Sequence, residues 1–284
     1  ETLRYYYHEN VYRPSAESHT FQEISQMGLE MLGAVGEAQV QQAVRLAAQS
    51  LAQLGAAWVL EVSHMGYLFG LFDALGVPEN ARPGLLEKLR EKNAHELRRA
   101  AQAAGLDAAG AAALTGLLEL SGSCEETLAK AESACRNDRM RAAAAELRAL
   151  AKTLEASGGA VRLDLSLAGE MEYYNGLVFQ GYLQGLPRPL LKGGRYDLLM
   201  QKFTPGAGAI GFAVYLDELD RLSAPTPPVQ RNSTDRVMLN VALPKGRLGD
   251  KMYDLLARIG YGCTEDYNAT RKLVVENPAA GIRY

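Results

Sequence analysis

The sequence predicts an α+β fold: an antiparallel sheet flanked by helices and carrying a helical insertion, followed by the start of an α/β domain. Three observations lead there. Short β-prone runs rich in tyrosine, valine and phenylalanine recur on either side of a central block and are bounded by glycine and proline. The block itself, residues 85–155, is rich in alanine and leucine with charges interleaved, a composition that favours helix. Residues 223–235 then hold Pro225, Pro227 and Pro228 among polar residues without apolar periodicity, which marks a linker.

Composition narrows the function classes. The 284 residues suit one large domain or two ordinary ones. With 48% hydrophobic and 22% charged residues the chain falls in the soluble globular class. A formal net charge of -3 leaves no bulk electrostatic footprint for DNA or RNA, so no nucleic-acid partner is expected. Cys124, Cys135 and Cys263 are odd in number and form no CxxC, which favours reduced thiols and a cytoplasmic location over a disulfide frame or a zinc site. The apolar run 58–75 is broken by Glu61, His64 and Asp73, so no membrane span is expected. The chain opens on Glu1-Thr2-Leu3-Arg4-Tyr5-Tyr6-Tyr7, already strand-like, and a fragment of a longer protein is the expectation.

Residues 3–12 form the first strand, stopped at Arg13-Pro14 because proline cannot donate to a ladder. Residues 15–19 are a polar loop, and residues 20–32 return with Phe21, Ile24, Met27, Leu29 and Met31, closed by Gly33. Gln26 and Glu30 are four apart and share one face of that strand, which points to a pocket; Arg13 by itself fits a solvated arginine. Residues 37–54 carry Val40, Val44, Ala47, Leu51 and Leu54 at helix spacing up to Gly55. A short strand over 56–62 is followed by Ser63-His64-Met65-Gly66 and then a helix to Leu75, stopped at Gly76-Val77-Pro78. His64 suits a hydrogen-bonded loop or core histidine, and His8, His19 and His95 make no metal-ligand spacing with it. Within 85–155, short helices are separated at Gly105, Gly116 and Gly122. Arg98, Arg99, Arg136, Arg139 and Arg141 read as solvated helix faces, with an RNA or partner surface as the other reading.

A strand over 161–167 leads to the stretch around which the chain is organised. Tyr173-Tyr174-Asn175-Gly176-Leu177-Val178-Phe179 places two tyrosines before a glycine-centred turn and a β-prone run, the pattern of a hairpin facing a cavity. Lys192-Gly193-Gly194-Arg195-Tyr196-Asp197 lets a backbone approach a ligand closely, with a charge and a phenol beside it. Gly206, Gly208 and Gly211 form a loose loop without dinucleotide spacing, before a strand and helix that end near 222. Beyond the linker, a strand over 236–244, the turn Lys245-Gly246-Arg247 and an amphipathic helix over 248–259 open the α/β domain. Basic residues at such a turn suit a phosphate.

As a set, Arg4-Tyr5-Tyr6-Tyr7, Val11-Tyr12-Arg13, the run 26–33, Tyr173 to Phe179, Gly193 to Asp197 and Gly211-Phe212-Ala213 resemble the catalytic core of the histidyl-tRNA synthetase family over residues 1–222. The resemblance implies a class II aminoacyl-tRNA synthetase-like sheet, with residues 85–156 as its helical insertion. It also implies a histidine-binding set of Arg13, Gln26, Glu30, Tyr173, Tyr174 and Tyr196.

Two departures change the expected function. Where the family carries arginines that offset the charge of ATP, this chain has Gly169 and Glu218, and a carboxylate repels a polyphosphate. The arginine-rich loop after Arg13-Pro14 is replaced by Ser15-Ala16-Glu17-Ser18-His19. No catalytic residue or cofactor is therefore expected in the synthetase-like body. A histidine pocket without adenylation resembles the regulatory subunit family of ATP phosphoribosyltransferase, with L-histidine as effector and a hetro-oligomer with the catalytic subunit. The tail, Leu239 to Leu248 with Arg271-Lys272-Leu273 and Glu276-Asn277-Pro278, resembles the start of the short-form catalytic subunit. Lys245, Gly246 and Arg247 would lie at its substrate cleft, and Mg2+ would accompany phosphoribosyl transfer. Residues 236–284 are then a truncated catalytic-type domain fused to the body. The alternative is a divergent histidyl-tRNA synthetase.

Overall fold

Strands β1 (Thr2–Pro14) and β2 (Phe21–Gly33) pair antiparallel along their whole length, with Thr2 opposite Gly33 and Pro14 opposite Phe21. They form one edge of a sheet that the computed structural model describes over residues 1–14, 20–154, 160–168 and 173–223. Residues 239–241, 243, 247–263, 276–277 and 282–283 are described as well. The chain divides into two compact units, Glu1–Ala224 and Pro225–Tyr284.

In the first unit, strands β3 (Trp58–His64), β4 (Ser121–Ser123), β5 (Ala160–Asp164), β6 (Leu177–Leu183), β7 (Leu191–Arg195) and β8 (Gly208–Tyr215) join the hairpin. The eight lie in the order β1-β2-β8-β7-β6-β3-β5-β4. Every pairing is antiparallel except β3 with β5. That parallel pair exists because the helical insertion separates the two strands in sequence and supplies the crossover a hairpin cannot.

Helix α1 (Glu37–Ala52) buries Val40, Ala43, Val44, Ala47, Ala48 and Leu51, an apolar stripe at helix spacing. It packs on β6 and β8. Gly181 of β6 makes that approach possible, since a Cβ there would lie 2.7 Å from Leu51 Cδ1 and 3.1 Å from Leu191 Cβ. Helix α2 (Met65–Ala74) buries residues on nearly all sides, among them Tyr67, Leu68, Leu71 and Phe72, because it lies between the sheet and the insertion.

The insertion is built of α3 (Arg82–Arg90), α4 (Ala94–Ala103), α5 (Ala108–Thr115), α6 (Cys124–Ser133) and α7 (Asp138–Leu154). Side-chain caps set where these helices start: Asn93 accepts from the Glu96 amide at 3.1 Å and Asp107 from the Gly110 amide at 2.7 Å. Asn137 caps α7 through the Met140 amide at 2.9 Å and donates to the Gly70 carbonyl at 2.7 Å, tying insertion to α2. Two short helices close the C-terminal ends: α8 (Asp197–Gln201) and α9 (Leu216–Ser223).

Three expectations need correction. Tyr173 and Tyr174 do not stand on a hairpin strand; they occupy a turn before β6, and β6 pairs with β3 and β7. Gly208 and Gly211 lie on β8 rather than in a loose glycine loop, while His64 ends β3 and caps α2 by accepting from the Gly66 amide at 3.0 Å. Gly122 lies within β4 rather than in a simple break between helices.

In the second unit, β9 (Leu239–Asn240) runs parallel to β11 (Ile282–Arg283), which pairs antiparallel with β10 (Glu276–Asn277). Helix α10 (Arg247–Leu256) follows β9. The Tyr253 hydroxyl accepts from the Cys263 amide at 2.8 Å, and Asn277 donates to the Gly262 carbonyl at 2.5 Å. Most of the expected linker lies outside the described residues.

Substituting Gly181 by alanine should push α1 off the sheet and cost about 1–3 kcal/mol of stability. Chemical denaturation of the variant against the parent checks this.

Candidate ligand pocket

Strand alternation builds the pocket. Tyr7 and Arg13 on β1, Gln26 and Glu30 on β2, Ala213 and Tyr215 on β8, Lys192 on β7 and Gln180 on β6 all fall on one face of the sheet by register. Small residues occupy the centre of that face: Gly28 opposite Ala213, and Glu30 opposite Gly211, which in turn opposes Gly194. The result is a cavity of ≈ 240 Å³ with Leu167, Tyr173, Tyr174 and Tyr196 among its other walls. Gly211 is required there because a Cβ would overlap Glu30 Oε2 and stand 2.5 Å from the Leu29 carbonyl.

All six side chains expected to form the site line this one cavity: Arg13, Gln26, Glu30, Tyr173, Tyr174 and Tyr196. The Tyr196 hydroxyl donates to Glu30 Oε2 in a short hydrogen bond. Burial raises the Glu30 carboxyl above the ordinary carboxylate range, and the Tyr196 hydrogen bond pulls in the other direction. Burial and the Glu30 charge push the Tyr196 phenol up, so it stays a donor at any ordinary pH. Tyr174 is likewise raised, chiefly by burial. Tyr173 lies 5.0 Å from Tyr174 and 5.7 Å from Tyr196 between ring centroids, edge-tilted in both cases, which makes a compact aromatic wall.

Gln26 is 5% exposed and its Nε2 donates to the Tyr7 hydroxyl at 3.2 Å, while its buried Oε1 has no hydrogen-bond partner. A buried amide oxygen left without a donor is costly, and a ligand N–H or ammonium at this wall would satisfy it. The cavity thus combines one desolvated carboxylate, an amide acceptor, the Arg13 cation and phenol donors. That set fits a small zwitterion bearing several N–H groups.

Sequence reasoning missed Tyr7, Gln180, Lys192 and Tyr215 as lining residues. Tyr7 shares strand parity with Arg13 and was within reach of the argument; the others depended on which strands become neighbours. Arg195 takes a different place from the one its motif suggests. It faces away from the cavity, with Nε on Asp197 at 2.7 Å and Nη2 on the Val35 carbonyl at 3.3 Å. Gly169 lies outside the described residues, as do Ser15–His19, Lys245 and Gly246; Arg247 opens α10.

Glu218 is on α9 and lines a second cavity of ≈ 550 Å³, which shares Gln180, Lys192 and Tyr215 with the first. Its side chain is only 12% exposed, stands 3.5 Å from Arg221 Nε and keeps one buried oxygen without a hydrogen-bond partner. A carboxylate therefore faces the space next to the pocket. Among the described residues no three His, Cys, Asp or Glu side chains converge on one point. No helix among them is long and apolar enough to cross a membrane.

The family model for histidyl-tRNA synthetase matches residues 1–219. The chain belongs to the histidyl-tRNA synthetase family. Within this family, the ATP phosphoribosyltransferase regulatory subunit of Desulfitobacterium hafniense (strain DSM 10664 / DCB-2) is 34% identical over 217 residues, 75% of this chain and 56% of that protein. This chain thus spans a little over half the length of that relative. Among solved structures, an ATP phosphoribosyltransferase regulatory subunit/histidyl-tRNA synthetase from Bacillus halodurans C matches with a TM-score of 0.69 at 28% identity, covering 95% of this chain and 70% of that one. An ATP phosphoribosyl transferase complex from Thermotoga maritima shares the fold at a TM-score of 0.61 and 19% identity, over 76% of this chain and 73% of that one.

Because burial raises Glu30 in the folded state, the folded chain holds its proton more tightly than the unfolded chain does. Its contribution to stability should fall as pH rises from the ordinary glutamate range through the raised value. Glu30→Gln should flatten that decline and be at least as heat-stable as the parent at pH 7, which thermal melts across pH 4–8 check.

Proposed function

We propose that residues 1–222 are a histidine-sensing body of the regulatory subunit type, acting on the catalytic subunit of ATP phosphoribosyltransferase in the first step of histidine synthesis. The observation that carries this reading is the pairing of two neighbouring cavities of opposite aptitude. One gathers Arg13, Gln26, Glu30 and the tyrosines around a space sized for a single small polar molecule. The other, where the family resemblance would place ATP, presents the buried carboxylate of Glu218 next to Asp217, with Arg188, Lys192 and Arg221 also in its lining. Binding is kept and activation is disfavoured.

On this reading histidine enters as a zwitterion. Glu30 and the Gln26 oxygen take its N–H groups, and the phenols close over the ring. Regulation follows if the ligand binds two states of the assembly unequally. The partner is the catalytic subunit in a hetero-oligomer, and the setting is cytoplasmic. Regulatory subunits named among the relatives support this choice of partner. Residues 236–284 would be the opening of a catalytic-type domain on the same chain, with Lys245, Gly246 and Arg247 at its cleft and Mg2+ supplied with the substrates.

Titration calorimetry with L-histidine tests the reading. The parent should bind, and Tyr196→Phe or Glu30→Gln should weaken binding about 10- to 100-fold, the effect of losing a hydrogen bond to a charged group. Histidine-dependent exchange of pyrophosphate into ATP should be absent. Exchange at a measurable rate would instead support a divergent histidyl-tRNA synthetase, and no binding by the parent would remove the sensor.

A further inference from the structure

The geometry points to the helical insertion as the element that positions the pocket's tyrosine wall, through Lys92 and Glu146. The wall residues Leu167, Tyr173 and Tyr174 sit on the two flanks of one connection between β5 and β6. Each flank is tied to the insertion by a half-exposed charge that reaches a buried partner.

The first tie is at Asp164, the end of β5. Its side chain is 3% exposed and accepts from Lys92 Nζ at 2.5 Å, while Lys92 itself is 57% exposed. The same carboxylate accepts from the Ser166 amide at 2.9 Å and the Ser166 hydroxyl at 2.5 Å. The Asp164 carbonyl accepts from the Leu167 amide at 3.0 Å, so one charged group fixes the turn that delivers Leu167 to the cavity. Lys92 is also the single non-glycine residue with positive φ, 52°, among those described. It is the residue just past the C-cap Glu91 of α3, with its amide donating to the Leu89 carbonyl at 3.0 Å. From the end of that helix its side chain reaches the buried Asp164 carboxylate.

The second tie is at Gly176, just past the tyrosines. The Gly176 carbonyl accepts from the Met65 amide at 2.8 Å. Met65 follows His64, whose side chain is 7% exposed and whose Nε2 stands 3.1 Å from Glu146 Oε2 on α7. Since Nδ1 of His64 accepts from the Gly66 amide, the proton on the neutral ring is at Nε2, and Nε2 donates to Glu146. The hydrogen bond from His64 holds the Glu146 carboxyl below the usual range despite its burial. Glu146 is 47% exposed.

Neither Lys92 nor Glu146 lines the cavity. Both act through a buried partner, so they are positioning residues. Their exposure means that a change in the insertion can loosen or tighten the pocket wall without touching a bound ligand.

Hydrogen exchange on the whole chain tests this without any ligand. Lys92→Met should speed exchange of the Ser166 and Leu167 amides at least tenfold, and Lys92→Arg should restore it. Glu146→Gln should speed Met65 and Gly66. Lys88→Met, which removes an exposed ion pair with Glu91, should leave all four amides as in the parent. Unchanged rates in Lys92→Met and Glu146→Gln overturn the proposal. So does an equal acceleration across α4 and α5, which would mean general destabilisation. A histidine titration of the same variants adds a functional readout, with affinity falling at least fivefold in Lys92→Met and recovering in Lys92→Arg. If the parent takes up no histidine the sensor reading fails, while the exchange rates still decide the role of the insertion.

Discussion

The pocket depends on one interaction, the hydrogen bond from the Tyr196 hydroxyl to the buried carboxylate of Glu30. A carboxylate brought into a sheet face loses water and needs donors in return. The sheet meets that need by leaving out side chains. Gly211 opposite Glu30 gives it room to lie across the strand, and Gly194 gives the same room to the Tyr174 ring. Tyr196 then supplies the donor. A side chain at Gly211 would take the place of the Glu30 carboxylate, and one at Gly194 would take the place of the Tyr174 ring.

From this constraint the rest of the body follows outward. The glycine-floored centre is rigid because β8 lies between two antiparallel neighbours and the sheet's other side is covered by α1. The floor belongs to the sheet, and the wall is tied to the insertion beside Asp164 and to the start of α2 beside Gly176. Such an arrangement suits a site whose occupancy has to be communicated. The adjoining cavity sets Asp217 and Glu218 beside Arg188, Lys192 and Arg221, and on the proposed reading the Glu218 carboxylate is what disfavours chemistry on a bound molecule.

Much of this was legible in the chain before any fold. Gln26 and Glu30 four apart on a β-prone run share a face, and that parity placed both correctly. The motif around Tyr196 carried its own glycines. Other features were hidden for identifiable reasons. Tyr173 and Tyr174 have strand-forming side chains, yet β6 begins only at Leu177; ahead of it the Gly176 carbonyl accepts from the Met65 amide and the Asn175 amide donates to the Arg195 carbonyl. Ser121-Gly122-Ser123 pairs with β5 although none of the three favours strands; neighbouring backbone, rather than propensity, decides it. Arg195 looked like a ligand contact from its neighbours in sequence, but one step along a strand reverses the face, and it turned to Asp197. Lys192, three residues earlier, has the cavity parity.

The Glu30–Tyr196 pair is proposed to mark a binding site for free histidine. A crystal structure of the chain grown with saturating L-histidine tests it most directly. The account predicts a histidine in the ≈ 240 Å³ cavity, with nitrogen donors against Glu30 and Gln26 and the ring against the tyrosine wall. Histidine bound elsewhere on the chain, with this cavity holding only solvent, would contradict it.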